Sequence, residues 1–294
     1  MLRIVIPYGV AIVAACVVLD FAITRWVALS DPEIGSARIH RLVSAGVTDE
    51  IPLLGSSRAN SNYAVESLDP RIHNYGIKGA GFEAVAFQLE KALERETDRP
   101  ILVNVDLGWW SMKGAGDLAM YVPSSHDPAV RELLESDLRF YHRLPFVRYF
   151  GLYQRYWTER LDEWGRLIAE GRGFHETSEG LSRAAEALRS WAPDHAPDSL
   201  QLARLLSLLD EHPDRSIIFV VAPYHASYFQ IARHADAADG WLAELDRRPN
   251  ATVVDFSRAV YPDSLYTDPV HLNWNGARRF SEDLRAEIAD LIGS

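Results

Sequence analysis

The chain has 294 residues, 48% of them hydrophobic and 24% charged, values of an ordinary folded protein that exclude extensive disorder. Its formal net charge is −11 and no stripe of Lys or Arg occurs, which excludes the phosphate attraction that nucleic-acid binding relies on. The one cysteine, Cys16, sits in an apolar N-terminal run and excludes a disulfide framework, a thiolate zinc site and a cysteine nucleophile.

From Ile4 to Leu19 the chain is nearly all apolar, and Phe21, Ala22, Ile23, Trp26, Val27, Ala28 and Leu29 extend the run past Asp20, Thr24 and Arg25. That reaches the roughly 20 residues a helix needs to cross a bilayer. Arg3 precedes the run and Trp26 suits the far interface, so residues 1–30 are expected to be a single-pass transmembrane signal anchor with the remainder exported. A cleaved signal peptide and a lipoprotein signal acylated at Cys16 (Val13-Ala14-Ala15-Cys16) compete, but the apolar run continues well beyond Cys16.

Beyond a polar linker around Asp31 to Ser36, short apolar runs alternate with helical patterns over residues 31–294, the signature of βαβ units in a doubly wound α/β domain with a mostly parallel sheet. Five strands are expected, at Ile51 to Leu54, Arg71 to Tyr75, Ile101 to Asp106, Ser216 to Val221 and Thr252 to Asp255. Helical stretches lie near Gly81 to Glu94, Ser199 to Leu209, Ala235 to Leu245 and Asn275 to Ile292. The third and fourth strands stand roughly 110 residues apart, far more than one crossover helix needs, so a helical insertion of about 109–195 is expected. Between Asp137 and Ile168 it interleaves aromatic residues (Phe140, Tyr149, Trp157) with arginines (Arg139, Arg148, Arg160). Such spacing serves packing in a helical subdomain, or alternatively a surface facing membrane or glycan.

Two stretches carry chemistry. In Leu53-Leu54-Gly55-Ser56-Ser57-Arg58 an apolar strand ends in Gly and two serines, putting a Ser in the crevice at the carboxyl edge where open parallel sheets bind ligands. A Ser in that position also suits a helix N-cap. In Tyr266-Thr267-Asp268-Pro269-Val270-His271-Leu272-Asn273 an Asp lies three residues before a His, after the last strand and before the C-terminal helix. There Asp268 can orient and stabilise the His271 imidazole while His271 takes the proton of Ser57. Alone, an Asp-x-x-His also suits a surface pair or a helix cap. The other histidines form no helical ligand pair with a third partner, so neither a metal nor another cofactor is expected.

Together the two stretches resemble the SGNH (GDSL-type) hydrolase superfamily, in which a Gly-Asp-Ser block follows strand one and an Asp-x-x-His block precedes the last helix. The resemblance implies a flavodoxin-like fold, with Ser57, Asp268 and His271 as catalytic triad and Ser56 where many members carry Asp. Asn74-Tyr75-Gly76-Ile77-Lys78-Gly79-Ala80-Gly81 looks like the second block, implying an oxyanion hole from the backbone of Ser57 and Gly79, with Gly76 the alternative to Gly79. The third block departs from the pattern. Where many members read Gly-x-Asn-Asp, this chain reads Val103-Asn104-Val105-Asp106, and Asn104 and Asp106 should share one face of the strand. An ionised Asp106 would oppose an oxyanion, so Asp106 serves only if protonated or in another role.

Ser56, Arg58, Asp106 and His225 are the expected substrate-binding residues, His225 following the fourth strand beside Tyr224. For Arg58 the competing expectation is a solvated helix residue. Gly-Ser-Ser, the N-terminal anchor and the insertion together look like the exported SGNH proteins of bacterial envelope acylation. That likeness implies acyl transfer or acyl-ester hydrolysis on an envelope polysaccharide or other acylated glycan, beside a membrane-bound O-acyltransferase, from the periplasmic or extracytoplasmic side of the inner membrane. The alternative is a degenerate SGNH domain that binds glycan or docks the acyltransferase without chemistry.

Overall fold

The computed structural model describes residues 2–25, 35–44, 49–109, 118–135, 144–145, 181, 183–184, 186 and 194–293. In chain order the first elements are α1 (Leu2–Ile23), α2 (Gly35–Val43), β1 (Ile51–Leu54), α3 (Ser57–Ser61), α4 (Val65–Leu68), β2 (Ile72–Asn74), α5 (Phe82–Leu93) and β3 (Ile101–Asn104). Then come a 3-10 turn (Ala119–Ser124), α6 (Pro128–Leu134), α7 (Ser199–Glu211), β4 (Ile217–Val221) and α8 (Ala226–Phe229). The chain closes with α9 (Ala237–Asp246), β5 (Ala251–Asp255), a second 3-10 turn (Asp263–Leu265) and α10 (Trp274–Ile292). Two compact units form, Met1–Ser44 with Leu118–Gly165, and Ala45–Asp117 with Arg166–Ser294.

In the first unit, α1 holds an 18-residue stretch, Ile6–Ile23, of mean hydropathy 2.2, with none of it buried. It is long and apolar enough to span a membrane. The Thr24 hydroxyl donates to the Asp20 carbonyl at 2.8 Å, occupying one of the carbonyls that the helix end leaves open. Trp26 to Leu29, expected to prolong this run, lie outside the described residues. Gly35 and Ser36, expected in a linker, instead open α2. The reason is tertiary: Ile39 and Leu42 are buried as α2 packs on the first 3-10 turn, whose Met120, Tyr121 and Val122 are buried too. The turn in turn packs on α6, which Asp127 caps by accepting from the Ala129 and Val130 N–H groups at 2.9 and 3.1 Å. Of the expected insertion, this stretch is helical as anticipated, whereas the aromatic and arginine-rich segment from Asp137 to Ile168 lies, apart from residues 144 and 145, outside the described residues.

The second unit is a five-stranded parallel sheet in the order β2-β1-β3-β4-β5. This is the doubly wound, flavodoxin-like order. β1, β3 and β4 are buried throughout, as continuous apolar runs covered on both faces must be. Ile51, Leu53, Leu102, Ile218 and Val220 join Leu68 of α4 and Phe280, Leu284, Ile288 and Ile292 of α10 in one core. α5 packs on β1 and on α7, and α9 packs on β5. The register pairs Leu53 with both Asn74 and Leu102, and Asn104 with Val220, so the strands end level with one another. The segments leaving β1, β3, β4 and β5 therefore emerge along one carboxyl edge.

Candidate active site

Ser57 begins α3 immediately past the end of β1. Its orientation follows from local chemistry. The Ser56 hydroxyl accepts from the Arg58 N–H at 3.3 Å as N-cap, and Gly55 N–H donates to the buried Gln88 side chain at 2.9 Å. Gly76, leaving β2, lies so close that a Cβ there would stand 2.4 Å from the Asn60 nitrogen of α3, so only glycine permits this approach.

The second part of the site is the loop between the second 3-10 turn and α10. Thr267 N–H donates to the His271 carbonyl at 2.9 Å, and Tyr266 and Leu272 form an antiparallel bridge, so the loop closes on itself. Inside it Asp268 Oδ1 accepts from the N–H groups of Val270 and His271 at 2.8 and 2.9 Å. This leaves Oδ2 for the ring: His271 Nδ1 lies 2.8 Å from it. Asn273 ends the loop and caps α10, accepting from Gly276 N–H at 3.0 Å.

The fold brings these two local structures together, with His271 Nε2 2.9 Å from Ser57 Oγ across 214 residues of sequence. Burial pushes the Asp268 carboxyl up, but the hydrogen bond and positive charge of His271 and the two backbone N–H donors outweigh it and hold the group below the ordinary carboxylate range. Asp268 is thus ionised at neutral pH and only accepts, which fixes the tautomer: Nδ1 carries the proton, and Nε2 is left to accept from the Ser57 hydroxyl. Ser57 is partly exposed, as are the His271 and Asp268 side chains at 26% and 33%, so a ligand can reach the serine. The arrangement is chemically that of an activated hydroxyl with base and orienter.

The Gly76 N–H donates to Asn74 Oδ1 at 2.8 Å and is occupied. Gly79 has a φ of 77°, a left-handed conformation favouring glycine, and among the described residues its N–H meets no acceptor. Of the two glycines expected as oxyanion donors, Gly76 and Gly79, Gly79 is the one with a donor to spare. Asn104 and Asp106 do share a face, and they bond each other: Asn104 Nδ2 donates to Asp106 Oδ1 at 2.9 Å while Asn104 Oδ1 accepts from Tyr63 Oη at 2.8 Å. Asp106 Oδ2 accepts from the Ser56 hydroxyl. Asp106 accepts at both oxygens, and Asn104 is 0% exposed, so neither offers an oxyanion donor to a ligand.

Arg58 differs from both expectations held for it. Its side chain is 4% exposed, neither solvated nor open to an anionic ligand. Nε donates to the Val270 carbonyl at 3.0 Å, and Nη2 to the Ala222 and Pro223 carbonyls at 2.5 and 2.9 Å. The guanidinium lies 3.5 Å from the Tyr224 ring centroid and 3.7 Å from Asp106. Tyr224, expected in the cleft, is buried between Arg58 and a stacked Tyr228. His225 uses one ring nitrogen on Ser227 Oγ at 2.7 Å and the other on Asp263 at 3.1 Å, and its N–H donates to the Pro269 carbonyl at 3.0 Å. Ser56, Arg58, Asp106 and His225 thus converge on the site's framework, each engaged with protein partners. Asn62 was not singled out from the sequence, yet it bonds Val270 and Leu272; those partners are 208 and 210 residues away, and no local pattern marks them. Among the described residues no cluster of three or more His, Cys, Asp or Glu could hold a metal ion.

The fold defines a doubly wound α/β protein. No family model matches the chain, and no curated protein matches it. A solved structure from Streptococcus pneumonia, provisionally described as a platelet activating factor, aligns with 91% of this chain and 95% of its own at 13% identity and a TM-score of 0.44.

Proposed function

We propose that the chain is an SGNH-type serine enzyme that transfers or hydrolyses acyl esters on a bacterial envelope glycan through a Ser57 acyl-enzyme. The observation that carries this is the hydrogen-bonded series Ser57–His271–Asp268 at the carboxyl edge of the sheet. Ser57 Oγ attacks the ester carbonyl carbon as its proton passes to His271 Nε2, and Asp268 stabilises the imidazolium. The backbone N–H groups of Ser57 and Gly79 receive the oxyanion. The tetrahedral intermediate expels the alcohol, which takes the proton back from His271, and water or a sugar hydroxyl then releases the acyl group by the same steps. The glycan, the periplasmic placement and a membrane-bound O-acyltransferase as partner rest on the sequence resemblance and on α1 as a membrane anchor, with residues 31–294 as the exported domain.

A second reading, a non-catalytic domain that binds glycan or docks the acyltransferase, is favoured by one observation: Asn104 at the end of β3 is 0% exposed and bonded to Asp106, so it presents no oxyanion donor to a ligand. Intact-protein mass spectrometry of the full-length chain in detergent, after exposure to p-nitrophenyl acetate, separates the two. One acetyl adduct on the wild type, absent from Ser57→Ala, is the expected result. A folded wild type that neither gains an adduct nor releases p-nitrophenol faster than buffer overturns the enzyme and leaves the binding domain.

A further inference from the structure

The five-residue helix α3 carries more than the serine. Two of its neighbours in sequence reach across to the loop that presents His271. Arg58 Nε and Asn62 Nδ2 both donate to the Val270 carbonyl, at 3.0 and 3.3 Å, and Leu272 N–H donates to Asn62 Oδ1 at 2.9 Å. The backbone is therefore gripped on both sides of His271, one residue before and one after, by groups from the element that holds Ser57. Arg58 ties this grip to the end of β4 through the Ala222 and Pro223 carbonyls. Both side chains lie in the interior, Arg58 at 3% and Asn62 at 0% residue exposure, where little water competes for these bonds.

We infer that Arg58 and Asn62 are positioning residues that set His271 against Ser57; this rests on the enzyme reading above. The loop's own bonds fix Asp268 relative to His271 but do not connect either to the serine. Of the contacts around His271, the α3 grip is what turns two separate pieces into one geometry. A planar guanidinium serves here because its fork meets carbonyls of two segments at once, which a lysine ammonium on a flexible stem cannot reproduce. An amide serves at position 62 because it donates at one end and accepts at the other.

The test is p-nitrophenyl acetate turnover by the full-length chain in detergent, comparing wild type, Arg58→Lys, Asn62→Ser and the double variant. Far-UV circular dichroism and thermal melting run beside it. The expected result is folded variants whose kcat falls by about 10- to 100-fold with KM unchanged, since misplacing a reacting group by about 1 Å costs on that order. The double variant should lose no more than the worse single variant, because both act through the same loop. Folded variants that keep the wild-type kcat overturn the inference while leaving the enzyme reading standing. So does a kcat loss that only follows the unfolded fraction, or unfolding of both single variants at the assay temperature, either of which makes the grip part of the fold alone. A wild type without turnover that also gains no acetyl adduct removes the enzyme reading and the inference with it.

Discussion

Asp268 is the residue whose electrostatics decide most. Its folded-state proton affinity is lowered, so the stability it contributes is fully present above the ordinary carboxylate value, about 4, and is lost as pH falls through the lower folded value. Asp268→Asn removes that dependence. The gap in urea midpoint between wild type and Asp268→Asn should be widest at neutral pH and close towards acid; a gap that stays constant across the titration contradicts this origin. The same substitution turns the fixed tautomer over, because an amide can donate to Nδ1, and turnover should fall by about 10⁴-fold, as when a triad carboxylate becomes an amide. At this scale the sequence was most informative where partners are near in the chain. Asp268 and His271 are three residues apart, and their pairing was legible. Arg58 was not, since its carbonyl partners lie 164, 165 and 212 residues away, and a charged residue without a visible partner is read as solvated.

Among the elements, the strands expected from apolar runs match the five observed, with ends shifted by no more than the frayed residues that leave the ladder. β2 is shorter than expected, Ile72–Asn74 rather than Arg71 to Tyr75, and β3 stops at Asn104. Three short helices were not foreseen, α2, α4 and α8, and the foreseen α3 is as short. Each is too short to form by propensity and exists because a tertiary surface buries it. α3 in particular depends on glycine at position 76, beneath its backbone. Gly76→Ala should destabilise the chain by about 1–3 kcal/mol through overpacking, read as a lower urea midpoint. An unchanged midpoint would mean that α3 can move away at no cost.

For the molecule as a whole, the N-terminal helix and the α/β unit raise separate questions. α1 is apolar over 18 residues, none of them fully buried, which is costly in water and favourable in lipid. The full-length chain is expected in the membrane fraction after alkaline carbonate washing; recovery in the soluble wash would exclude a spanning helix. The parallel sheet was readable from alternating strands and helices, whereas its order β2-β1-β3-β4-β5 was expected only through the resemblance that implied a flavodoxin-like fold.

By itself the sequence determined the class of fold, through the alternation of apolar runs and helical patterns, and it pointed to Ser57, Asp268 and His271, through two short local patterns. Hydrophobic periodicity is a local property, and so is an Asp-x-x-His turn. The tertiary structure alone decided that Ser57 meets His271, that Gly76 is occupied while Gly79 keeps a donor, that Asn104 and Asp106 spend themselves on each other, and that Arg58 and Asn62 face the histidine loop. Each of those is a hydrogen bond whose geometry is set by residues far apart in the chain or by a loop's exact path, and such bonds leave no periodic trace in a sequence.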